Sequence, residues 1–204
     1  MCIRDRENII GNVIKIKSEF GFNAGVPKKN SRLFNKKLGG GSILDLGCYP
    51  ITFSNLIANY NQNEKEIIPK LREISGEIHE LGIDLNAKAK LIYENSITSD
   101  ISVSINQRFK NETEIFGSKG TIKILDPWLP KKKNIIEVKK DNKIEKITSN
   151  AELEVFANQI NYFNLFVQNK NLKENYPAMS IDNSVNYMKV MTEWRDLVLK
   201  NESK

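Results

Sequence analysis

Leu38-Gly39-Gly40-Gly41-Ser42-Ile43-Leu44-Asp45-Leu46-Gly47-Cys48-Tyr49-Pro50-Ile51 sets three glycines directly before an apolar helical pattern. Asp45 and Tyr49 stand four residues apart in that pattern. On a helix, positions i and i+4 lie over one another on one face. That face presents a carboxylate beside a phenol, while Ile43, Leu46, Phe53, Leu56 and Ile57 supply a stripe to bury. A carboxylate next to a phenol can position and polarise a hydroxyl or carbonyl that exchanges a proton. The glycines let another backbone or a flat ligand come close to the helix start, where the dipole attracts negative charge. The same pattern also suits a plain loop followed by a surface pair, so residue spacing alone leaves both readings open.

Other segments narrow the choice. Leu-Gly-Gly-Gly-Ser-Ile-Leu-Asp-Leu-Gly-Cys-Tyr-Pro resembles the signature that opens the C-terminal domain of the Gfo/Idh/MocA oxidoreductases, in particular the dihydrodiol/xylose dehydrogenase-like members. Further pieces agree in order: IKIKSEFGF from Ile14, GIDLNA from Gly82, FGSKGTIKI from Phe116, and Asp126-Pro127-Trp128. The resemblance runs from about Ile10 to the C-terminus. It implies that Asp45 and Tyr49 face the nicotinamide of NAD or NADP and, with a lysine from the cofactor domain, bind and deprotonate the hydroxyl being oxidised. Asp45 would orient the substrate or the base, and Tyr49 would donate or accept the proton. A phenol titrates near 10 and needs a nearby cation to act as a base at neutral pH. Gly40 and Gly41 become the cofactor-facing candidates. Phe20, Arg32 and Trp128 become candidates for the sugar- or diol-binding pocket. Arg32 could pair with a substrate or phosphate oxygen, or serve equally as a surface arginine; for Phe20 and Trp128 a packing role is the favoured reading.

The chain departs from the family in one large respect. It contains no Gly-x-Gly-x-x-Gly after a strand and no Glu-Lys-Pro segment, so the nucleotide-binding half is expected to be absent from this sequence. Residues 1–9 read as a non-native leader or the end of that missing half, and 10–204 as one substrate-binding and oligomerisation domain. The expectation is a truncated reading frame, or a subunit completed by a separate Rossmann protein. It would be inactive by itself and hold no NAD or NADP tightly. The alternative is a non-catalytic dimerisation module derived from the same family.

Composition agrees with a soluble globular domain: 204 residues, 40% hydrophobic and 27% charged. No apolar run approaches the roughly 20 residues that span a bilayer, and Met1–Glu7 lacks the apolar core of a signal peptide. A cytoplasmic location and no membrane partner follow as expectations. Two cysteines make neither a disulfide framework nor a zinc site, and Cys48 reads as a small packing residue. The charge of +6 is spread along the chain apart from Lys131-Lys132-Lys133, a solvated turn after Pro130. With no nucleic-acid-binding motif, nucleic acid is not expected as a partner. His79, the single histidine, lacks a recognisable triad.

Taken in order, Val13–Phe20 alternates as a strand, with Ile14, Ile16, Ser18 and Phe20 on the buried side. A helix from about Gly40 to Tyr60 should kink or restart just after Tyr49, because Pro50 cannot donate to Leu46. After a polar break at Asn61–Lys65, strands are expected at Lys70–Glu80, Asn86–Glu94, Ile101–Phe109, Thr113–Phe116 and Thr121–Leu125. A hairpin from Ile135–Val138 to Ile144–Ile147 turns at Asp141-Asn142. Two helices close the chain. Ala151–Asn169 buries Leu153, Phe156, Ile160, Phe163 and Val167. Ser180–Lys200, capped by Ser180, buries Val185, Met188, Met191, Trp194 and Leu197, and Tyr176-Pro177 ends the link between the two. The sum is an α+β fold: an open, mostly antiparallel β-sheet with helices on one face. The other face is left for a homo-oligomer, as the resemblance implies.

Overall fold

A computed structural model describes residues 9–60, 66–169 and 179–201. The readings for residues 1–8, for Asn61–Lys65 and for Tyr176-Pro177 lie outside the described residues. Eight strands form one open sheet: β1 (Val13–Gly21), β2 (Lys70–His79), β3 (Ile83–Ile92), β4 (Thr98–Ser104), β5 (Glu112–Gly117), β6 (Thr121–Leu125), β7 (Lys133–Lys140) and β8 (Lys143–Asn150). Their order is β2-β3-β4-β1-β5-β6-β7-β8. All neighbours are antiparallel except β1 and β4, which run parallel. Four helices accompany them: α1 (Ser42–Leu46), α2 (Cys48–Ala58), α3 (Val155–Gln168) and α4 (Ile181–Asn201). The α+β class expected from the sequence is therefore the observed one. Among the described residues, no helix is long and apolar enough to cross a membrane.

The two faces of the sheet differ sharply. On one, cross-strand partners Leu71, Leu91, Ser99, Ile16, Ile115, Ile122 and Val138 form a row through seven strands, all of it buried. α1, α2 and α4 pack over this side, against β1 to β4. One residue along each strand, the opposite face carries Lys90, Asp100, Lys17, Glu114, Lys123, Glu137 and Lys146 as successive cross-strand partners. Their signs alternate without a break from β3 to β8. Lys123 meets Glu112 at 2.6 Å and Glu114 at 3.8 Å, Lys146 meets Glu137 at 3.2 Å, and Lys15 meets Asp100 at 2.5 Å. A sheet face with paired charges can stay solvated without a covering layer.

Several expectations are corrected. The register of β1 shifts between Val13 and Lys15 against β5, so Val13 turns inward and Ile14 outward, 54% exposed. A bulge inverts the alternation at that end of the strand. The strand expected to run to Phe109 stops at Ser104, whose hydroxyl accepts the amides of Asn106 (3.2 Å) and Gln107 (2.9 Å) and turns the chain out. The helix break falls at Gly47, three residues before Pro50. Pro50 then sits in the first turn of α2, where a missing N–H costs no helical bond.

The terminal helices differ most. Ser180 caps α4 as expected, accepting the Asn183 amide at 3.0 Å. Its buried stripe, however, is Tyr187, Val190, Met191, Trp194 and Val198, while Val185 and Met188 are exposed. In α3 no residue is buried; Phe156, Ile160, Phe163 and Val167, read as core, lie on the surface, Phe163 at 64% exposure. Helical spacing shows that a face is apolar; it cannot show that another element covers it.

Candidate functional site

The site is assembled at one end of the sheet, where β1 and β6 finish. Asn35 Oδ1 accepts the Lys37 amide at 3.0 Å and starts the short 3-10 turn Lys36–Leu38, which ends in Gly39 with φ +69. Gly40 and Gly41 follow, both buried. A Cβ on Gly40 would lie 2.6 Å from the Leu33 carbonyl, and one on Gly41, at φ +111, would collide with Asp84 Oδ1. The space beside these glycines is thus taken by the chain itself. They permit a tight return of the loop onto β3.

Asp84, which the sequence reading passed over inside Gly82–Ala87, organises the helix start. It is fully buried on β3, and its Oδ2 accepts Ser42 Oγ and the Ile43 amide, each at 2.7 Å. A carboxylate here satisfies first-turn donors and meets the positive helix end. Burial pushes its pKa up, opposed by the bonds from Ser42 and Ile43 and by the charge of Arg195. Alternation hides it: an acid between Ile83 and Leu85 is expected on the face opposite theirs, yet all three are buried. α2 is fixed to the sheet by polar pins of its own. Ser54 Oγ lies 2.8 Å from Ser99 Oγ, and Tyr93 donates to Asn55 Oδ1 at 2.5 Å.

On this support Asp45 and Tyr49 stand in α1 and α2. The Asp45 carboxylate is ion-paired with Arg32 of the preceding loop, with side-chain exposures of 18% and 58%. Tyr49 is partly exposed. Its phenol is raised above its ordinary value, first by desolvation and then by the neighbouring Cys48 and Asp45. Such a phenol keeps its proton at neutral pH and presents a hydrogen-bond donor.

Phe20, at the end of β1, meets the Tyr49 ring edge-on at 5.0 Å between centroids and stacks on Trp128 at 5.8 Å. Trp128 in turn contacts Tyr49 at 5.9 Å and Phe53 at 6.1 Å. The indole is delivered by the Asp126-Pro127 turn, with Asp126 at φ +50, and anchored by Nε1 donating to the Glu19 carbonyl at 2.8 Å. The structure thus gathers Phe20, Arg32, Asp45, Tyr49 and Trp128 at one place. It adds Phe53, which the sequence reading assigned to the core stripe although it lies one helical turn beyond Tyr49. Cys48 is exposed and not the packing residue expected from sequence. Its thiol is pushed upward, chiefly by desolvation, which disfavours a thiolate nucleophile.

Comparison with known proteins bears on this arrangement. The GFO/IDH/MocA C-terminal domain model matches residues 6–123. A trans-1,2-dihydrobenzene-1,2-diol dehydrogenase of Xenopus tropicalis is 33% identical over 125 residues, which is 61% of this chain and 35% of that protein. The Homo sapiens enzyme of the same name is 27% identical over 126 residues, again 35% of its length. In structure, a 3-ketoreductase from Actinomadura kijaniata in complex with NADP and TDP-benzene superposes with a TM-score of 0.75 at 17% identity. The superposition covers 91% of this chain and 54% of that one. An aldose-aldose oxidoreductase from Caulobacter crescentus complexed with glycerol gives 0.75 at 15% identity, covering 97% and 57%. The chain matches only about a third of the length of those sequence relatives and about half of those solved structures.

Proposed function

The chain belongs to the GFO/IDH/MocA C-terminal domain family, and from that premise we propose that it is the substrate-binding half of an NAD(P)-dependent oxidoreductase acting on a sugar, polyol or diol hydroxyl. The observation that supports this most is the meeting of the Arg32–Asp45 ion pair with Tyr49, which is 38% exposed and rests on the buried rings of Phe20 and Trp128. The exposed Tyr49 ring beside a few convergent polar groups suits the alternating C–H and O–H surface of a polyol. The Tyr49 hydroxyl donates to the substrate oxygen. Asp45 accepts from a neighbouring substrate hydroxyl, and Arg32 holds that carboxylate in place.

The nicotinamide cofactor supplies the hydride acceptor or donor when bound. On this reading the cofactor is held by a Rossmann half such as family enzymes carry, and the residues described here supply the groups that meet the substrate. Pairing of two copies through the charged sheet face, and a cytoplasmic location, form part of the same reading. Shifting the alternating row by one strand sets each cation against an anion of the second copy.

Nitrogen-15 NMR titration of the chain with trans-cyclohexane-1,2-diol and D-xylose tests the site. Shifts are expected at the Gly47–Tyr49 amides and at the Trp128 indole, and are expected to vanish in Tyr49→Phe and Asp45→Asn. Shifts confined to another surface, or tight NADPH binding with turnover by the chain alone, would overturn the reading.

A further inference from the structure

Residues 21–44, which lead from the end of β1 into α1, hold five of the chain's 31 Lys and Arg and none of its 25 Asp and Glu. The rest of the chain carries 26 cations against 25 anions, so this one segment accounts for five of the six net positive charges. On the open face of the sheet the signs alternate. Here Lys28, Lys29, Arg32, Lys36 and Lys37 fall within ten residues with no acid among them. Like charges that close repel one another, so the loop gains no stability from the arrangement.

The fold concentrates these charges instead of spreading them. Two 3-10 turns, Arg32–Phe34 and Lys36–Leu38, coil the segment into a compact loop, and the buried ring of Phe34 fastens it to the core. Asn35 binds both arms of the coil. Its Nδ2 donates to the Lys29 carbonyl at 3.5 Å, and its Oδ1 accepts the Lys37 amide at 3.0 Å. The Gly40 and Gly41 amides close the loop on the Asn35 and Leu33 carbonyls, at 3.0 and 2.9 Å. Arg32 lies between the arms and reaches Asp45, whose charge is felt by the Tyr49 phenol. The basic loop thus stands directly against the site. Asp45 neutralises Arg32, whereas the four lysines are exposed and make no ion pair among the described residues.

Uncompensated positive charge at the rim of a site raises the local concentration of anions, and a lysine ammonium is a point donor for carboxylate or phosphate oxygens. The hydroxyls of a neutral diol gain little from it. Resting on the functional reading above, which supplies the polyol part, we propose that this site selects an anionic substrate: a sugar or polyol that carries a carboxylate or phosphate beyond the hydroxyl meeting Tyr49. The lysines of the loop, Lys29 and Lys37 foremost, hold that group, while Arg32 stays with Asp45.

Nitrogen-15 NMR titration of the chain tests this with matched probes. D-Glucuronate is D-xylose with a carboxylate added to the same ring, and D-glucose 6-phosphate is the anionic form of D-glucose. In about 20 mM salt both anions are expected to bind roughly tenfold tighter than their neutral parents, a gap that closes by about 0.5 M salt. Lys29→Gln/Lys37→Gln is expected to weaken the anions roughly fivefold and to leave D-xylose unchanged. Lys139→Gln/Lys140→Gln removes the same charge at the β7–β8 hairpin and is expected to change neither. An unchanged melting temperature shows each variant folded, as expected for exposed lysines; Lys28→Gln/Lys36→Gln provides a second loop variant. Anions that bind no tighter than their parents, or that lose as much affinity in the hairpin variant, overturn the proposal. So does inorganic phosphate binding the loop amides as tightly as D-glucose 6-phosphate, which would make the loop a site for an adventitious ion only. NADP binding there without the sugar anions also overturns it, since the anion would then be the cofactor's. D-Xylose that leaves the Gly47–Tyr49 amides unmoved fails the functional reading and takes this proposal with it, whereas the other outcomes overturn the proposal alone.

Discussion

Asp84 Oδ2 accepts the Ser42 hydroxyl at 2.7 Å across 42 residues of sequence, and this one bond ties the helix pair bearing Asp45 and Tyr49 to the buried strand β3. The two residues named as chemical candidates are thereby placed by a third that touches neither of them in a hydrogen bond. Asp84→Ala is expected to cost about 1–3 kcal/mol, because Ser42 and the Ile43 amide are left buried without an acceptor. Urea unfolding monitored by circular dichroism measures it.

The same carboxyl sets a pH dependence. Its folded pKa is raised above the unfolded one, so the fold binds that proton more tightly than the unfolded chain does. Stability from this group is full in acid and is lost as pH rises through the raised folded value. Urea midpoints from pH 3.5 to 7.5 should show this falling contribution in wild type, and its absence in Asp84→Asn.

Gly41→Ala is expected to cost more than about 2 kcal/mol, since a positive φ and a collision with Asp84 act together. Gly25 has φ +76 and nothing within 4 Å of a Cβ, so Gly25→Ala should cost only about 1 kcal/mol. Thermal melts of the two variants separate backbone strain from steric exclusion.

Tyr49 should titrate above an ordinary tyrosine, and Asp45→Asn should lower its value by removing one of the charges that hold the proton on. Ultraviolet difference titration of wild type against Tyr49→Phe isolates the phenol. An Asp45→Asn curve that coincides with wild type would contradict the coupling.

Trp128→Ala is expected to destabilise the chain by about 3 kcal/mol, by losing three ring contacts and leaving the Glu19 carbonyl without its donor. It should also abolish the diol-induced shifts. Trp128→Phe should recover more of the stability than of the binding.

Lys123→Glu reverses the sign between Glu114 and Glu137 in the alternating row. A loss of about 1 kcal/mol is expected at low salt, shrinking as salt screens the repulsion. If two copies pair through this face, light scattering of the same variant should show a weaker assembly.

The residue pattern by itself determined the local elements. Alternation placed Ala87, Ala89 and Leu91 inward on β3, and all three are buried. Asp141 and Asn142 supplied the positive φ values, 48° and 59°, that a two-residue hairpin turn requires. Only the tertiary structure decided the rest. It slotted β1 parallel to β4 and antiparallel to β5, brought Trp128 onto Phe20 across 108 residues, and set Asp84 beneath Ser42. It also chose which side of α4 is buried and left α3 uncovered. The reason is physical: periods of two and 3.6 are written in neighbouring residues, whereas burial depends on which distant surface arrives to remove water. For α3 no such surface arrives among the described residues, and for that reason the apolar face that local spacing marked as core lies open.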